Sequence, residues 1–288
     1  MAQSPADPPF IRIGPERPVS PVVLSVPHAG RSYSKALLAA SRLPLATLET
    51  LEDRLVDRLV WRAVAAGATA LVAQAPRAEI DLNRDEREID PAMVVPPPPS
   101  RMLLQSPRTR GGLGLVPSRI AGSGSIWLQR LAASELARRI ETIHRPYHAA
   151  IEAALGAARA RFGVAILLDC HSMPARGEGG AEAAVVLGDR HGTSIAADYI
   201  EAALAAVAGE GFAAARNAPY AGGYITCRHG QPARGVHALQ LEIDRSLYLA
   251  EDMRAPGDGF DRAAALIEAV AAALAARALE PPHAIAAE

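Results

Sequence analysis

The chain has 288 residues, half of them hydrophobic, and a formal net charge of −1. That length can bury a large core in one large or two small domains. The balanced charge, with no basic stripe interleaved with aromatics, excludes the electrostatic footprint of a nucleic-acid-binding protein.

Residues 1–20 read as an N-terminal extension, whose first nine residues are polar and proline-rich and lack the charged-then-apolar form of a signal peptide. Val22–Val26 is an apolar run and the first predicted strand. Across 52–66, Leu55, Leu59, Val60 and Val64 recur near helical spacing, and Gly67 supplies a stop. Thr69–Ala73 and residues 78–82 read as strands. Residues 90–124 are rich in Pro, Gly, Ser and Arg; so long an irregular stretch inside a domain is usually functional. A long helix is expected over 125–143, interrupted at His144-Arg145-Pro146 and resumed over 147–161. A strand at 164–168, a glycine-rich loop at 177–180, a strand at 183–187, an amphipathic helix at 193–208 and a short strand at 212–215 follow. Residues 217–235 read as a second loop, 236–243 as a strand and 260–276 as a closing helix. The apolar run of that helix is interrupted by Glu268 and is too short to span a bilayer. Strands and helices alternate, which predicts an α/β single domain over 21–279: one mixed β-sheet flanked by helices, with 280–288 as a flexible tail. Two cysteines, Cys170 and Cys227, make no disulfide framework and fit a reducing compartment, so a soluble cytoplasmic protein without membrane or nucleic-acid partners is expected.

The most informative segment is Asp169-Cys170-His171-Ser172-Met173, directly after the apolar run at 164–168. A second strand-end histidine, His28, follows Val22–Val26 and precedes Ala29-Gly30. In α/β folds ligands bind beyond the carboxyl ends of strands. Either histidine alone suits a bond to a nearby carbonyl; the two together point to one shared site, most simply a metal. A catalytic zinc takes three protein ligands and leaves one position open. The third ligand is sought among Glu52, Asp53 and Asp57 at the start of the predicted helix, where acids also occur simply to complement the helix dipole. Glu242, flanked by Leu241 and Ile243, is either a general base beside the metal or the partner of Arg245 in a salt bridge. Asn83-Arg84 is a candidate clamp for an anionic substrate, since a guanidinium grips a carboxylate bidentately; pairing of Arg84 with Asp85 or Glu86 at the surface is the alternative. Arg119 is a weaker version of the same idea. His144 and His148 have the i, i+4 spacing of a metal pair, but Pro146 between them favours a structural role. His191 and His229 are loop candidates for substrate contact. Cys170 points away from His171 on a strand, which disfavours a thiol–imidazole couple. Gly111-Gly112-Leu113-Gly114 lacks the strand and helix context of a phosphate-binding loop.

Taken in order, Ser25-Val26-Pro27-His28-Ala29-Gly30, Glu52-Asp53 with Val56-Asp57, Ile80-Asp81-Leu82-Asn83-Arg84, Asp169-Cys170-His171-Ser172-Met173, Gly222-Gly223-Tyr224-Ile225-Thr226 and 238–248 form a series. This series resembles the N-formylglutamate amidohydrolase family over roughly residues 21–252. The resemblance implies a fold similar to the zinc carboxypeptidases and succinylglutamate desuccinylases, a phosphorylase/hydrolase-like α/β architecture. It implies His28, His171 and Asp53 as ligands of Zn2+ or another divalent metal such as iron, cobalt or manganese, and Glu242 as the general base. It further implies Asn83, Arg84 and Tyr224 at the substrate. The expected reaction is hydrolysis of a small anionic N-acyl amino acid, N-formyl-L-glutamate first, yielding formate and glutamate as at the end of one histidine-degradation route. The alternatives are another N-acyl amino acid or a small anionic peptide at the same site, or a silent metal-binding relative. Retention of Glu242 favours the enzyme.

Overall fold

Apolar runs without polar alternation require cover on both faces, which is the environment of strands in a parallel sheet. A computed structural model describes residues 8–175 and 183–280, and it meets that requirement with a seven-stranded mixed sheet. The predicted loop at 177–180, residues 1–7 of the extension and residues 281–288 of the tail lie outside the described residues. The strands are β1 (Phe10–Ile13), β2 (Val22–Val26), β3 (Thr69–Ala73), β4 (Ala165–Met173), β5 (Val185–Gly188), β6 (Ala214–Arg216) and β7 (Val236–Asp244). Their order is β1-β3-β2-β4-β7-β5-β6. The central strands β3, β2, β4 and β7 are mutually parallel, while β1 and β5 run antiparallel to their neighbours β3 and β7. Phe10–Ile13, expected within the extension, is thus an edge strand.

One face of the sheet carries α1 (Val56–Leu59), α2 (Trp61–Ala65), α5 (Ala197–Gly209) and α7 (Phe260–Leu279), packed on Leu24, Leu168, Leu239 and Leu241. The other face carries α4 (Arg145–Phe162), whose Tyr147, Ile151, Leu155 and Ala158 meet Val23, Leu71, Leu167 and Ala238. The α4 face becomes polar toward the carboxyl ends of β4 and β7. Strand alternation continues Leu167 into Asp169 and His171, and Ala238 into Gln240 and Glu242.

Four elements differ from the sequence expectation. Residues 78–82 form a buried turn, not a strand, because Asp81 Oδ1 accepts the Asn83 amide (2.9 Å) and the Asp81 amide goes to Leu115 O (2.7 Å). Residues 125–132 are not helical; α3 begins at Ala133 and runs to Arg139. The helix is not interrupted at Pro146 but passes through a π turn, Ile140–His144, into α4. Proline has no amide hydrogen to give to a carbonyl four residues back, so the ladder skips there. The predicted helix at 52–66 starts only at Val56, since Leu55 is left-handed (φ 63°) and Asp53 lies in the turn before it. A fifth segment, α6 (Tyr224–His229), is helix inside the expected loop 217–235.

Candidate active site

The registers of β2, β4 and β7 assemble one centre. Ser25 pairs with Asp169, and Glu242 lies beside His171. His28 follows the end of β2, where its carbonyl accepts the Asp53 amide (2.9 Å) and so ties the 52–55 turn to the sheet. The left-handed Leu55 is a costly conformation for a branched side chain, of the kind that persists where the surroundings over-determine it. It lets the chain enter α1 after Asp53 has turned inward.

His28 Nδ1 lies 3.2 Å and His171 Nδ1 2.9 Å from the same oxygen, Asp53 Oδ2. One donor atom from each of the three residues lies within 4.8 Å of the others, all buried. The far nitrogens are engaged by carboxylates: His28 Nε2 with Asp81 Oδ1 at 2.7 Å, His171 Nε2 with Asp169 Oδ2 at 2.9 Å. Histidines that bind metals characteristically give their other nitrogen to a carboxylate, which fixes the ring and its tautomer. Here both rings present Nδ1 to the common point. Two ligands at zinc distance and a tetrahedral angle stand about 3.4 Å apart, close to the spacing seen. The donor set and the three buried aspartates around two imidazoles fit a divalent cation.

The electrostatics agree. Burial alone would raise Asp53; its bonds to His171 and His28 outweigh that and hold it well below the usual carboxylate range. Burial likewise opposes charge on His171, but Asp169 and Asp53 push it well above its ordinary value. Asp81, also desolvated, is held low by Arg77, Arg84 and His28. Glu242 goes the other way: burial, reinforced by Asp53 and Asp169 against His171 and Arg77, raises it to about 7.

The structure separates the open alternatives. Among the three acids, only Asp53 meets both histidines. Glu52 accepts from Tyr33 Oη (2.7 Å) and Arg54 (2.9 Å), and Asp57 is gripped by Nη1 and Nη2 of Arg31 (3.0 and 2.6 Å). Arg245 does not pair with Glu242; it donates to Asp53 Oδ1 (3.1 Å) and Ser172 Oγ (3.1 Å). Glu242 instead accepts from Gln240 Nε2 (2.8 Å).

A cavity of about 300 Å³ opens at this centre, its wall including His28, Asp53, His171, Glu242, Asn83 and Arg84. Arg84 is not a surface residue: it is 2 % exposed, Asp85 pairs with Arg87, and Glu86 pairs with Arg145. Asn83 Nδ2 lies 3.2 Å from His171 Nε2, and its Oδ1 accepts the Ile225 amide (2.8 Å). Tyr224, expected at the substrate, packs instead on the rings of His144 and His148 and accepts from Arg228 (2.9 Å); Tyr220 lines the cavity. The Tyr224 ring turns away because it lies on α6, not in the loop that had been expected there.

His144 and His148 are not ligands of this centre. They donate through Nε2 to the carbonyls of Arg84 (2.8 Å) and Leu82 (3.0 Å), bracing the Asn83-Arg84 turn from behind. His229 is buried against His148 (Nε2 to Nδ1, 2.9 Å), not at the cavity, and His191 is exposed outside it. Asp81 and Asp169 are site residues for which the sequence reading had no separate role. The spacing of Asp169 and His171, two apart on one strand face, was the available signal for one of them.

Comparison with known proteins gives concordant results. The family model described as N-formylglutamate amidohydrolase matches residues 20–249. An N-formylglutamate deformylase of Pseudomonas aeruginosa is 31% identical over 239 residues, covering 80% of this chain and 83% of the relative. One from Pseudomonas putida is 30% identical, covering 80% and 82%. The crystal structure of an N-formylglutamate amidohydrolase from Ralstonia eutropha JMP134 superposes with a TM-score of 0.84 at 34% identity, covering 94% of this chain and 97% of the other. The chain belongs to the N-formylglutamate amidohydrolase family.

Proposed function

We propose that the protein is a metal-dependent amidohydrolase that converts N-formyl-L-glutamate and water into formate and L-glutamate. The observation that carries this reading is one cavity holding a buried His-Asp-His donor set, an adjacent glutamate and a buried arginine. The names of the relatives supply the acyl group and amino acid. His28, Asp53 and His171 would hold the ion, for which zinc suits the two-nitrogen, one-oxygen set. Once bound, the ion supplies Lewis acidity toward the formyl carbonyl and toward water.

The remaining work falls to the side chains. Asn83 and Arg84 hold a substrate carboxylate and so set the formyl group over the centre. Glu242 takes a proton from the water as its oxygen attacks the formyl carbon. When the C–N bond breaks, Glu242 returns that same proton to the leaving nitrogen, which departs as the neutral amine; the formic acid formed with it then gives up its own proton, leaving formate and the ammonium form of glutamate. A carboxylate beside the attacking water can carry its proton in both directions of that transfer. Asp81 and Asp169 keep the imidazoles oriented. We place this reaction in the cytoplasm, at the end of a histidine-degradation route; the two unpaired cysteines, one of them the buried Cys170, are compatible with a reducing compartment.

The test is Glu242→Gln, assayed for formate release with metal content measured in parallel. The variant should keep its metal and lose about 10²–10⁴-fold in kcat. A near-normal rate would remove Glu242 from the reaction.

A further inference from the structure

Four arginines, Arg77, Arg84, Arg108 and Arg245, face the cavity, but only two are matched by a close carboxylate. Arg77 Nε donates to Asp81 (2.9 Å), and Arg245 donates to Asp53 (3.1 Å). Arg84 spends Nε and Nη1 on the carbonyls of Leu113 (2.8 Å) and Asn83 (2.6 Å), and its Nη2 stands 3.8 Å from an Asp81 already shared by Arg77 and His28. The Arg108 guanidinium has no carboxylate partner among the described residues. Burial, with Arg77 and Arg108 adding to it against Asp81, lowers the Arg84 pKa.

The two under-matched arginines are held in register with each other. Arg84 Nε bonds Leu113 O, and the Leu113 amide bonds Arg108 O (2.8 Å). The short turn Pro107–Arg110 that bears Arg108 is capped by Ser106, whose hydroxyl also donates to Glu88 (2.6 Å). The irregular stretch 90–124 thus delivers a fixed backbone at Arg108 to the cavity wall. Arg84 is buried in this wall and Arg108 is exposed at the cavity's edge, and the charge of Arg108 is felt at Arg84, so the wall suits an anion that meets both.

We infer that Arg108 is a second carboxylate anchor, which makes the site selective for dianionic N-acyl amino acids over monoanionic ones. This rests on the reading that Arg84 meets one substrate carboxylate. Arg108 meets the other, and it acts in specificity rather than in the proton transfers.

The experiment compares N-formyl-L-glutamate with N-formyl-L-glutamine, which has the same shape and one charge fewer, on the metal-loaded wild type, Arg108→Gln and Arg84→Gln. Calorimetric binding of L-glutamate and L-glutamine to the same proteins gives a readout independent of turnover. A charge-assisted bond of this kind contributes about tenfold or more. Arg108→Gln should therefore raise KM for the glutamate substrate about tenfold or more, leave kcat and the glutamine substrate nearly unchanged, and abolish the difference between the two. Arg84→Gln should weaken both. Equal effects of Arg108→Gln on the two substrates, or none, would overturn the inference. So would a wild type that turns over both substrates equally well, an outcome that leaves the proposed hydrolysis standing. If the wild type does not cleave N-formyl-L-glutamate, yet binds glutamate over glutamine through Arg108, the proposed substrate falls and the dianion anchor stands.

Discussion

Gly223 is the position where a single methyl group should do the most damage to this site. A Cβ there would lie 2.3 Å from both Oδ1 and Nδ2 of Asn83 and 2.5 Å from its Cγ. The φ of Gly223 is −101°, which an L-residue adopts freely, so the effect of Gly223→Ala is steric and not conformational. Neither partner has an easy retreat. The Gly223 amide donates to Gln240 Oε1 (2.8 Å), and its carbonyl accepts from Thr226 Oγ1 (3.0 Å). Asn83 is fixed by the Ile225 amide and by its own amide on Asp81. Displacing Asn83 gives up the Ile225 bond and leaves a buried donor unpaired, about 1–3 kcal/mol. Overpacking adds about 1–3 kcal/mol. Gly223→Ala should therefore lose about 2–6 kcal/mol in urea unfolding and raise KM for N-formyl-L-glutamate. In the double variant with Asn83→Ala the clash has no second partner, so stability should recover by more than 1 kcal/mol relative to Gly223→Ala, a coupling of the size seen between touching residues. A single variant with wild-type stability and KM, or a double variant no more stable than the single, would refute this reasoning.

The histidine cluster behind Asn83-Arg84 gives a pH prediction. Burial, and then the charge of Arg228, lowers His229 from 6.5 to about 3, and His148 is lowered in the same direction by burial and its neighbours His144 and His229. The unfolded chain binds more protons in this window, so stability is complete above about pH 6.5 and falls as pH drops toward 3, by roughly 1.4 kcal/mol per unit from His229 alone. Urea unfolding at pH 7, 6 and 5 should show that slope and a shallower one in His229→Gln; parallel slopes would exclude His229 as its source. Asp169→Asn should weaken zinc affinity about 10–100-fold in competition with a chromophoric chelator, because His171 loses the carboxylate that orients it. Unchanged affinity would leave Asp169 with a packing role only.

The central strands were legible because both their faces are buried, so each is dominated by apolar residues with few polar ones, such as Ser25 in β2. His28 and His171 stood out because histidine at the end of such a run is unusual, and Glu242 because it sits among apolar neighbours. The expected strand at 78–82 misread its signal: Ala78, Ile80 and Leu82 alternate because a turn buries Ile80 and Leu82 in the cluster of the sheet and Leu115 and Ala78 in that of Leu48, Ile126 and Trp127, not because they pair in a ladder. What sets Glu52 and Asp57 apart from Asp53 is Tyr33 and Arg31, residues that only the fold brings to them, together with Arg54, a sequence neighbour of Glu52. The bond of Asp81 to His28 joins residues 53 apart and left no local pattern. The structural role expected for His144 and His148 from Pro146 is the one seen: the π turn Ile140–His144 leads into the helix that aims both rings at the carbonyls of 84 and 82. Tyr224 and Tyr220 differ by four residues, and the onset of α6 at Tyr224 decided which of them faces the cavity.

Metal-dependent deformylation at one site can be tested by stripping the protein with a chelator, reloading it with zinc in measured steps, and quantifying both products from N-formyl-L-glutamate. Turnover should be lost on stripping and recover fully at one equivalent of metal, with formate and glutamate released in equal amounts. Full activity in the stripped protein, or a reloaded protein that releases neither product, would contradict it.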